Sequence, residues 1–295
     1  MANSLQIGDR VVRKSYGGDV LFQIIDIQQD GKMCSLIGVD FRLLADAPLA
    51  DLIKVDPEQE ERLREVCRRK HEEAMRMIQQ TRPGAREQNV WRQINHTGEM
   101  GGSFDWPGRV LHLDGDRNYL RKCLAVYAEM KVPADGYYLP EREFPVHVIP
   151  LLEKHRPDIL VLTGHDAYQS RRGSADDLNN YRHSRFFVEA VGKARIFQQC
   201  KDSLVIFAGA CQSHFEAILS AGANFASSPK RINIHTLDPV YIAEQVAYTS
   251  IQRPVSVYDM VKHTITGIEG VGGIETRGCF RLGIPKNLRS QVGEA

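Results

Sequence analysis

A histidine and a cysteine stand at equivalent places after two apolar runs of the sequence. His165 follows the run from 159 to 162, and Cys211 follows the run from 204 to 207. Each run is typical of a buried strand, and ligands of parallel α/β sheets bind beyond the carboxyl ends of such strands. If the two strands are neighbours, the imidazole can deprotonate the thiol, and the thiolate is a nucleophile. We therefore predict a catalytic cysteine–histidine pair.

The segment around the cysteine favours the same chemistry. A predicted helix begins at His214, so the positive end of its dipole would stabilise a thiolate at Cys211. Small residues before the cysteine, among them Gly209, let a substrate backbone approach closely. Backbone N–H groups at this strand-to-helix turn can bind an oxyanion, and we include Gly209 among the candidates.

Five other cysteines compete for the role of nucleophile. All six are scattered and form no CxxC pair, so neither a disulfide scaffold nor a cysteine-based zinc module is predicted, and a reducing cytosol fits. Free cysteines are often simply buried, which leaves a structural role open for each of them. Strand-end placement and a partner histidine distinguish Cys211 from the rest, which are Cys34, Cys67, Cys123, Cys200 and Cys279.

The elements that must position the pair come in three parts. Residues 1–55 contain closely spaced β-favouring runs with a glycine turn at 17–18, which predicts a small SH3-like β-barrel module. Residues 56–108 read as a charged helix followed by a polar, glycine-containing linker. Over 109–295, short apolar strands alternate with helices, which predicts an α/β domain with a parallel sheet flanked by helices.

The composition excludes several classes of partner. The 295 residues include 38 Lys plus Arg and 37 Asp plus Glu, and the net charge of +1 gives no general attraction to nucleic acid or membranes. No run approaches the roughly 20 apolar residues that span a bilayer, and no signal peptide is visible. No HExxH or GxGxxG spacing indicates a metal or dinucleotide site. We expect a cytoplasmic protein without cofactor or metal, and the sequence leaves its oligomeric state open.

The order of the two candidate residues resembles that of caspase-like (clan CD) cysteine peptidases. In that group, a strand that ends in histidine precedes, by about 50 residues, a strand that ends in Ala-Cys. Ala210 and Cys211 match this signature. A glycine usually follows the histidine in those enzymes, and its N–H helps to form the oxyanion hole, whereas Asp166 follows His165 here. The resemblance implies a caspase-like fold, with Gly164 and Asp166 as oxyanion-hole residues.

Seven segments spread over most of the chain resemble the YabG family of sporulation-specific peptidases from spore-forming Firmicutes. They are IGDRVVRKSYGGDVLF, GRVLHLDGDRNYL, RPDILVLTGHDAY, DDLNNYRHSRFFVE, LVIFAGACQSHFEAILSAGANFASSP, NIHTLDPVYI and GGIETRG. The resemblance implies a cysteine endopeptidase of the mother cell that cleaves after basic residues, chiefly arginine. It also implies that the protein substrates are spore coat and coat-assembly proteins.

Arginine specificity requires a carboxylate, because a guanidinium pairs bidentately with one. The caspase-like resemblance implies that the end of the first strand of the sheet lines the P1 pocket, which holds the residue before the cleaved bond. This end carries Asp114 and Asp116. We predict that one of them binds the substrate arginine, with Asp114 preferred. The alternative is that the aspartates only cap the following helix.

Two other functions remain open at the level of sequence. A glutamine amidotransferase-like hydrolase also places a cysteine on a strand-to-helix turn. Its histidine, however, follows the cysteine in an H-x-E pattern, whereas His165 precedes Cys211 here. A non-catalytic coat scaffold would use the β module and the charged helix for docking, and it would leave Cys211 inert.

Overall fold

The computed structural model describes residues 5–29, 31–82 and 104–283, and it begins with a five-stranded antiparallel sheet. The strands are β1 (Arg10–Arg13), β2 (Phe22–Ile27), β3 (Met33–Gly38), β4 (Leu44–Pro48) and β5 (Leu52–Lys54). Gly17 and Gly18 have φ angles of 71° and 75°, as the predicted tight turn requires. The spatial order is β4-β3-β2-β1-β5. Because β4 and β5 lie at opposite edges, no closed barrel forms among these strands, and that part of the prediction is wrong.

A helix of 25 residues, α1 (Pro57–Thr81), follows this β module, as predicted. Asp56 caps it by accepting a hydrogen bond from the Gln59 N–H at 2.7 Å. Leu63, near the start of α1, packs against a buried apolar cluster of the β module. Near its other end, the helix buries three side chains in the core of the following domain, namely Ala74, Met75 and Ile78. The helix therefore contacts both parts of the chain.

The predicted linker falls largely on residues 83–103, which lie outside the described residues. After them, β6 (Phe104–Trp106) pairs antiparallel with β15 (Arg281–Gly283). The Gly108 N–H donates to the Ala247 carbonyl at 2.9 Å, so the end of the predicted linker is bonded to the α/β domain. The domain boundaries at 55 and 108 stay predictions.

A six-stranded sheet forms the centre of the α/β domain. Its strands are β7 (Val110–Asp114), β8 (Ala134–Tyr138), β9 (Ile159–Thr163), β10 (Val205–Ala208), β11 (Phe225–Ser227) and β13 (Val271–Gly273), while β12 (Pro254–Val255) and β14 (Thr276–Arg277) form a separate pair. The spatial order is β8-β7-β9-β10-β11-β13, and the first five strands are parallel. Every residue of β7 and β9 is buried, because both faces of the sheet are covered.

Helices lie on the two faces of this sheet, which confirms the predicted α/β layers. They are α2 (Arg117–Glu129), α3 (Phe144–His155), α4 (Ser184–Phe197), α5 (Phe215–Ser220), α6 (Asp238–Tyr248) and α7 (Val257–Lys262). The core under α3 and α4 includes Leu111 and Leu160, and the core under α2 and α6 includes Val110 and Val161. Within the described part of the chain, no helix combines the length and the apolar character that a membrane crossing requires.

Candidate active site

His165 and Cys211 follow neighbouring parallel strands at matched positions. In the pairing of β9 with β10, Leu162 stands opposite Ala208. Each candidate residue comes three positions after its member of this pair, so both leave the sheet at the same edge. The two strands are thus neighbours, as the predicted pair requires.

His165 is buried, and one hydrogen bond holds its ring while another holds its backbone. Its Nε2 donates to Asp116 Oδ2 at 3.1 Å, and its backbone N–H donates to Glu141 Oε1 at 2.7 Å. The ring centroid lies 5.5 Å from that of Tyr119. Its Nδ1 is buried and has no hydrogen-bond partner among the described residues. Nδ1 is therefore the ring atom that can exchange a proton with a reacting group.

Asp116 is occupied by two structural contacts. One oxygen caps α2 by accepting from the N–H groups of Asn118 and Tyr119 at 2.7 and 3.0 Å, and the other accepts from His165. Burial raises the pKa of the Asp116 carboxyl, but the hydrogen bonds from His165 and the helix outweigh it and lower the pKa overall. Asp116 therefore caps the following helix and also contacts His165, so capping is not its only role. These contacts do not fit the predicted P1 role of Asp116, because they direct its carboxylate to the Nε2 side of the His165 ring instead.

Glu141 is a member of this cluster that the sequence reasoning missed. Its carboxylate fits against two glycines, because a Cβ on Gly115 or Gly164 would lie 2.1 or 2.4 Å from Oε1. Gly164 therefore makes room for the group that holds the His165 backbone. A usable signal was present, since Glu141 comes three residues after β8 and thus also follows the carboxyl end of a parallel strand.

Asp114 forms a buried ion pair with Arg42 of the β module. Nη1 of Arg42 lies 2.7 Å from Asp114 Oδ2, and both side chains are 0% exposed. Burial alone would raise the pKa of Asp114, but the adjacent guanidinium holds the pKa well below its usual range. The preferred P1 aspartate therefore does hold an arginine in this structure, but the arginine belongs to the same chain.

Other groups complete the pocket around the Arg42 guanidinium. Its Nη2 donates to Cys123 Sγ at 3.2 Å and to the Thr236 carbonyl at 3.3 Å.

Ligand atoms of His112, Asp114 and Cys123 lie within 4.8 Å of one another, a spacing at which they could hold a metal ion. Arg42 donates to two of these three residues, and its positive charge would repel a cation. The cluster therefore does not fit a metal site while Arg42 is in place.

Cys211 is fully buried and is covered by the backbone of Ile234. The Ile234 N–H donates to the Cys211 sulfur at 3.2 Å, and the thiol lies 3.8 Å from the Ile234 carbonyl oxygen. Burial raises the pKa of the thiol to about 12, so it is protonated at neutral pH. The next residue, Gln212, has a φ of 57°, which turns the chain sharply after the cysteine. The thiol is thus sheltered in this structure.

Asp166 joins the loops that follow β9 and β10. One carboxylate oxygen accepts from the His183 N–H at 2.7 Å, and the other accepts from Ser213 Oγ at 2.9 Å and from Ser184 Oγ. Burial is the main influence on the Asp166 carboxyl and raises its pKa. The side chain therefore fixes the histidine loop to the cysteine loop. An oxyanion role for the backbone N–H of Asp166 or Gly164 stays a prediction.

The N–H of Gly209, a predicted oxyanion donor, is engaged in the sheet. Its N–H already donates to the Leu162 carbonyl at 3.0 Å and so extends the bonding between β9 and β10. Its φ of 115° lies in the left-handed region, and a Cβ there would come within 3.1 Å of Ser227. Gly209 is therefore required for the path of the chain before Cys211, and its oxyanion role stays a prediction that this hydrogen bond does not support.

Comparison with known proteins identifies the family. Residues 6–285 match the family model described as YabG peptidase U57. The chain is also similar to the sporulation-specific protease YabG of Bacillus subtilis (strain 168), with 46% identity over 283 residues. This alignment covers 95% of the chain and 98% of the relative. The chain therefore belongs to the YabG family of sporulation peptidases.

Proposed function

We propose that this peptidase is a cysteine endopeptidase with Cys211 as nucleophile and His165 as general base. The observation that carries the proposal is the matched placement of these residues beyond β9 and β10. The Nδ1 of His165 adds support, because it has no partner within the described part of the chain and a general base needs a free nitrogen. We further propose a caspase-like fold, on the basis of the parallel sheet and of the strands that carry the pair. Membership of a peptidase family argues against an amidotransferase or a scaffold.

The proposed reaction has two stages. Cys211 Sγ attacks the carbonyl carbon of the peptide bond, and the thiol proton passes to His165 Nδ1. His165 then gives this proton to the leaving amine as the C–N bond breaks, and the acyl group remains on sulfur as a thioester. In the second stage, water loses a proton to His165, attacks the thioester and releases the acid, which restores the thiol.

Asp116 positions the proposed base. Its carboxylate accepts from Nε2, which fixes the ring orientation and leaves Nδ1 for the reaction. The negative charge also stabilises the imidazolium that forms when His165 takes the thiol proton. Asp116 does not touch the reacting atoms, so we assign it as a positioning residue.

We propose Asp114 as the ligand of the substrate arginine in the P1 pocket. Support comes from its partner in the structure, because the pocket accommodates the complete guanidinium of Arg42, with Nη1 lying 2.7 Å from Asp114 Oδ2. The Thr236 carbonyl and Cys123 offer further acceptors for the remaining N–H groups. A pocket of this kind favours arginine over lysine, since the planar guanidinium can use several acceptors at once.

The proposed substrates are spore coat and coat-assembly proteins in the mother-cell cytoplasm of a sporulating bacterium. The name of the Bacillus subtilis relative, a sporulation-specific protease, supports a role during sporulation. The near-zero net charge supports protein substrates rather than nucleic acid or membrane surfaces.

Active-site variants test the proposed chemistry. The purified full chain is incubated with a purified, arginine-containing spore coat protein, and the products are identified by mass spectrometry. Cys211→Ala and His165→Ala should each abolish cleavage. Cys200→Ala and His147→Ala are matched controls, because both residues are exposed, and they should cleave at the wild-type rate. Cleavage by Cys211→Ala near the wild-type rate would exclude this cysteine as the nucleophile.

A further inference from the structure

The loop between β3 and β4 lies against the α/β domain as an extended strand. Phe41 and His235 form an antiparallel β-bridge. Backbone hydrogen bonds of 2.9 and 3.2 Å flank this bridge and join Thr236 to Asp40 and Arg42 to Ile234. Residues 40–42, which we call the 40–42 segment, therefore bind the 234–236 stretch as an extended peptide binds an open strand.

Helix α2 holds the same loop from another direction. The Tyr119 hydroxyl donates to the carbonyls of Gly38 and Phe41 at 2.6 and 2.8 Å. Lys122 Nζ donates to the Val39 carbonyl at 2.6 Å. Apart from the Arg42 side chain, the loop bonds mainly through its backbone, so this cleft can accept another extended chain that carries an arginine.

The 40–42 segment reaches the proposed nucleophile through one residue. The Ile234 carbonyl accepts from the Arg42 N–H, and the Ile234 N–H donates to the Cys211 sulfur. Beyond Arg42, residues 43–45 run along a cavity of about 210 Å³ that Ala167 and Gln212 also line. Ala167 and Gln212 come just after the proposed base and the proposed nucleophile in the sequence. The loop therefore runs from Arg42 past the proposed catalytic residues, as a substrate with arginine at P1 would.

We propose that the 40–42 segment is an internal inhibitor, which occupies the substrate cleft and places Arg42 in the pocket for the substrate arginine. The inference rests on the proposed function, because it takes Asp114 as the P1 ligand and Cys211 as the nucleophile. A substrate arginine reaches Asp114 only after Arg42 has left the pocket. The departure of Arg42 also removes the backbone hydrogen bond that helps to hold Ile234 over the Cys211 sulfur.

A substrate can compete with Arg42 for its pocket, because the hydrogen bonding of Arg42 there is incomplete. Its Nε is buried and has no hydrogen-bond partner among the described residues. An unsatisfied buried donor weakens the binding of the group that carries it. A substrate that satisfies this donor, or that makes more contacts along the cleft, can therefore displace the segment.

The test compares hydrolysis rates of the full-length chain on a fluorogenic peptide amide with arginine before the cleaved bond. Arg42→Ala should raise kcat/KM at least about tenfold, because a pocket filled internally in nine of ten molecules lowers apparent affinity by that factor. Arg10→Ala is the matched control. Arg10 lies in the same module and pairs with Glu60 at 3.6 Å outside the cleft, so this variant should match the wild type.

A second variant keeps the test decisive if Arg42→Ala does not fold. Arg42→Lys keeps a positive charge for Asp114 but lacks the planar guanidinium that also bonds to Cys123 and to the Thr236 carbonyl, so it should also raise kcat/KM, by a smaller factor. A synthetic peptide of residues 37–45 should inhibit the Arg42→Ala enzyme, and the same peptide with alanine at position 42 should not.

The outcomes separate the two proposals. If Arg42→Lys and a folded Arg42→Ala cleave no faster than the wild type, the internal inhibitor is overturned and Arg42 is a structural ion-pair partner. If Cys211→Ala retains cleavage of the same peptide, the proposed function is overturned instead.

Discussion

Nε2 of His165 and Oδ2 of Asp116 lie 3.1 Å apart, although 49 positions separate the two residues in the sequence. The contact forms because β7 and β9 are adjacent and parallel, with Asp114 opposite Thr163, and each residue follows its strand by two positions. The same carboxylate caps α2, and the cap fixes its orientation toward the histidine. The imidazole is therefore oriented by the sheet register and by a helix terminus together.

Asp116→Asn should lower kcat about 100-fold or more and leave KM nearly unchanged, because an amide cannot stabilise the imidazolium. Asparagine is as good a helix cap as aspartate, so the fold should persist. The measurement is kcat and KM as functions of pH on an arginyl peptide. Asp56→Asn, which changes the cap of α1 far from any catalytic candidate, is the control. A kcat for Asp116→Asn within twofold of the wild type would contradict the positioning role.

Iodoacetamide should label Cys200 before Cys211 in the resting protein. Cys200 is exposed, and a hydrogen bond from Ser203 lowers the pKa of its thiol, whereas burial raises the pKa of Cys211 to about 12. Peptide mapping by mass spectrometry over time gives the order of labelling. The Arg42→Ala variant should label faster at Cys211 and unchanged at Cys200. Preferential labelling of Cys211 in the wild type would show that the reagent reaches this thiol in the resting protein, which would contradict its burial under Ile234.

Gly164→Ala should reduce kcat/KM about 100-fold while the protein remains folded. The new methyl group would meet Glu141 Oε1 at 2.4 Å, and Glu141 holds the backbone of His165. Displacement of a catalytic group by about 1 Å costs on the order of 100-fold in rate. Gly192→Ala is a suitable control, because nothing lies within 4 Å of its added Cβ and alanine favours the helix. Full activity of Gly164→Ala would contradict the role of Glu141 in positioning His165.

Asp238→Asn should flatten the dependence of stability on pH. Burial raises the pKa of Asp238 to about 6, so the folded state holds a proton between about pH 4 and 6 that the unfolded state has lost. Stability from this group is present below about pH 4 and is lost as the pH rises through about 6. Chemical unfolding at pH 4.5 and 7.5 should show a larger loss for the wild type than for the variant, on the order of 2 kcal/mol. Equal losses would contradict the raised pKa.

The strands and helices around the site were predictable from periodicity. The helix expected over 184–197 occupies those residues, and the apolar runs at 159–162 and 204–207 form β9 and β10 within one residue at each end. Buried parallel strands are recognised well from sequence because most of their side chains are apolar and stand in continuous runs. The open form of the first sheet was not predicted, since strand runs alone do not determine whether the edges of a sheet meet.

Within the site, the pattern of strand ends identified His165, Cys211 and the two aspartates, but not their partners. Arg42 lies 72 positions before Asp114, in a module that the sequence reasoning treated as separate. Nothing in its local sequence marks it as buried, because arginine is usually exposed. Long-range ion pairs between modules depend on how the modules pack, and periodicity carries no information about that packing.

Helix α1 is anchored at both ends, with Leu63 against the β module and Ile78 in the core of the α/β domain. Its 25 residues span about 37 Å and act as a strut between the two parts. When Arg42 leaves its pocket it therefore stays tethered nearby, at an effective local concentration on the order of millimolar. Dilution of the protein cannot weaken such a competitor. A protein substrate that binds the cleft more tightly would displace it during each turnover, but only a cut in the chain near Arg42 would leave the cleft open between turnovers.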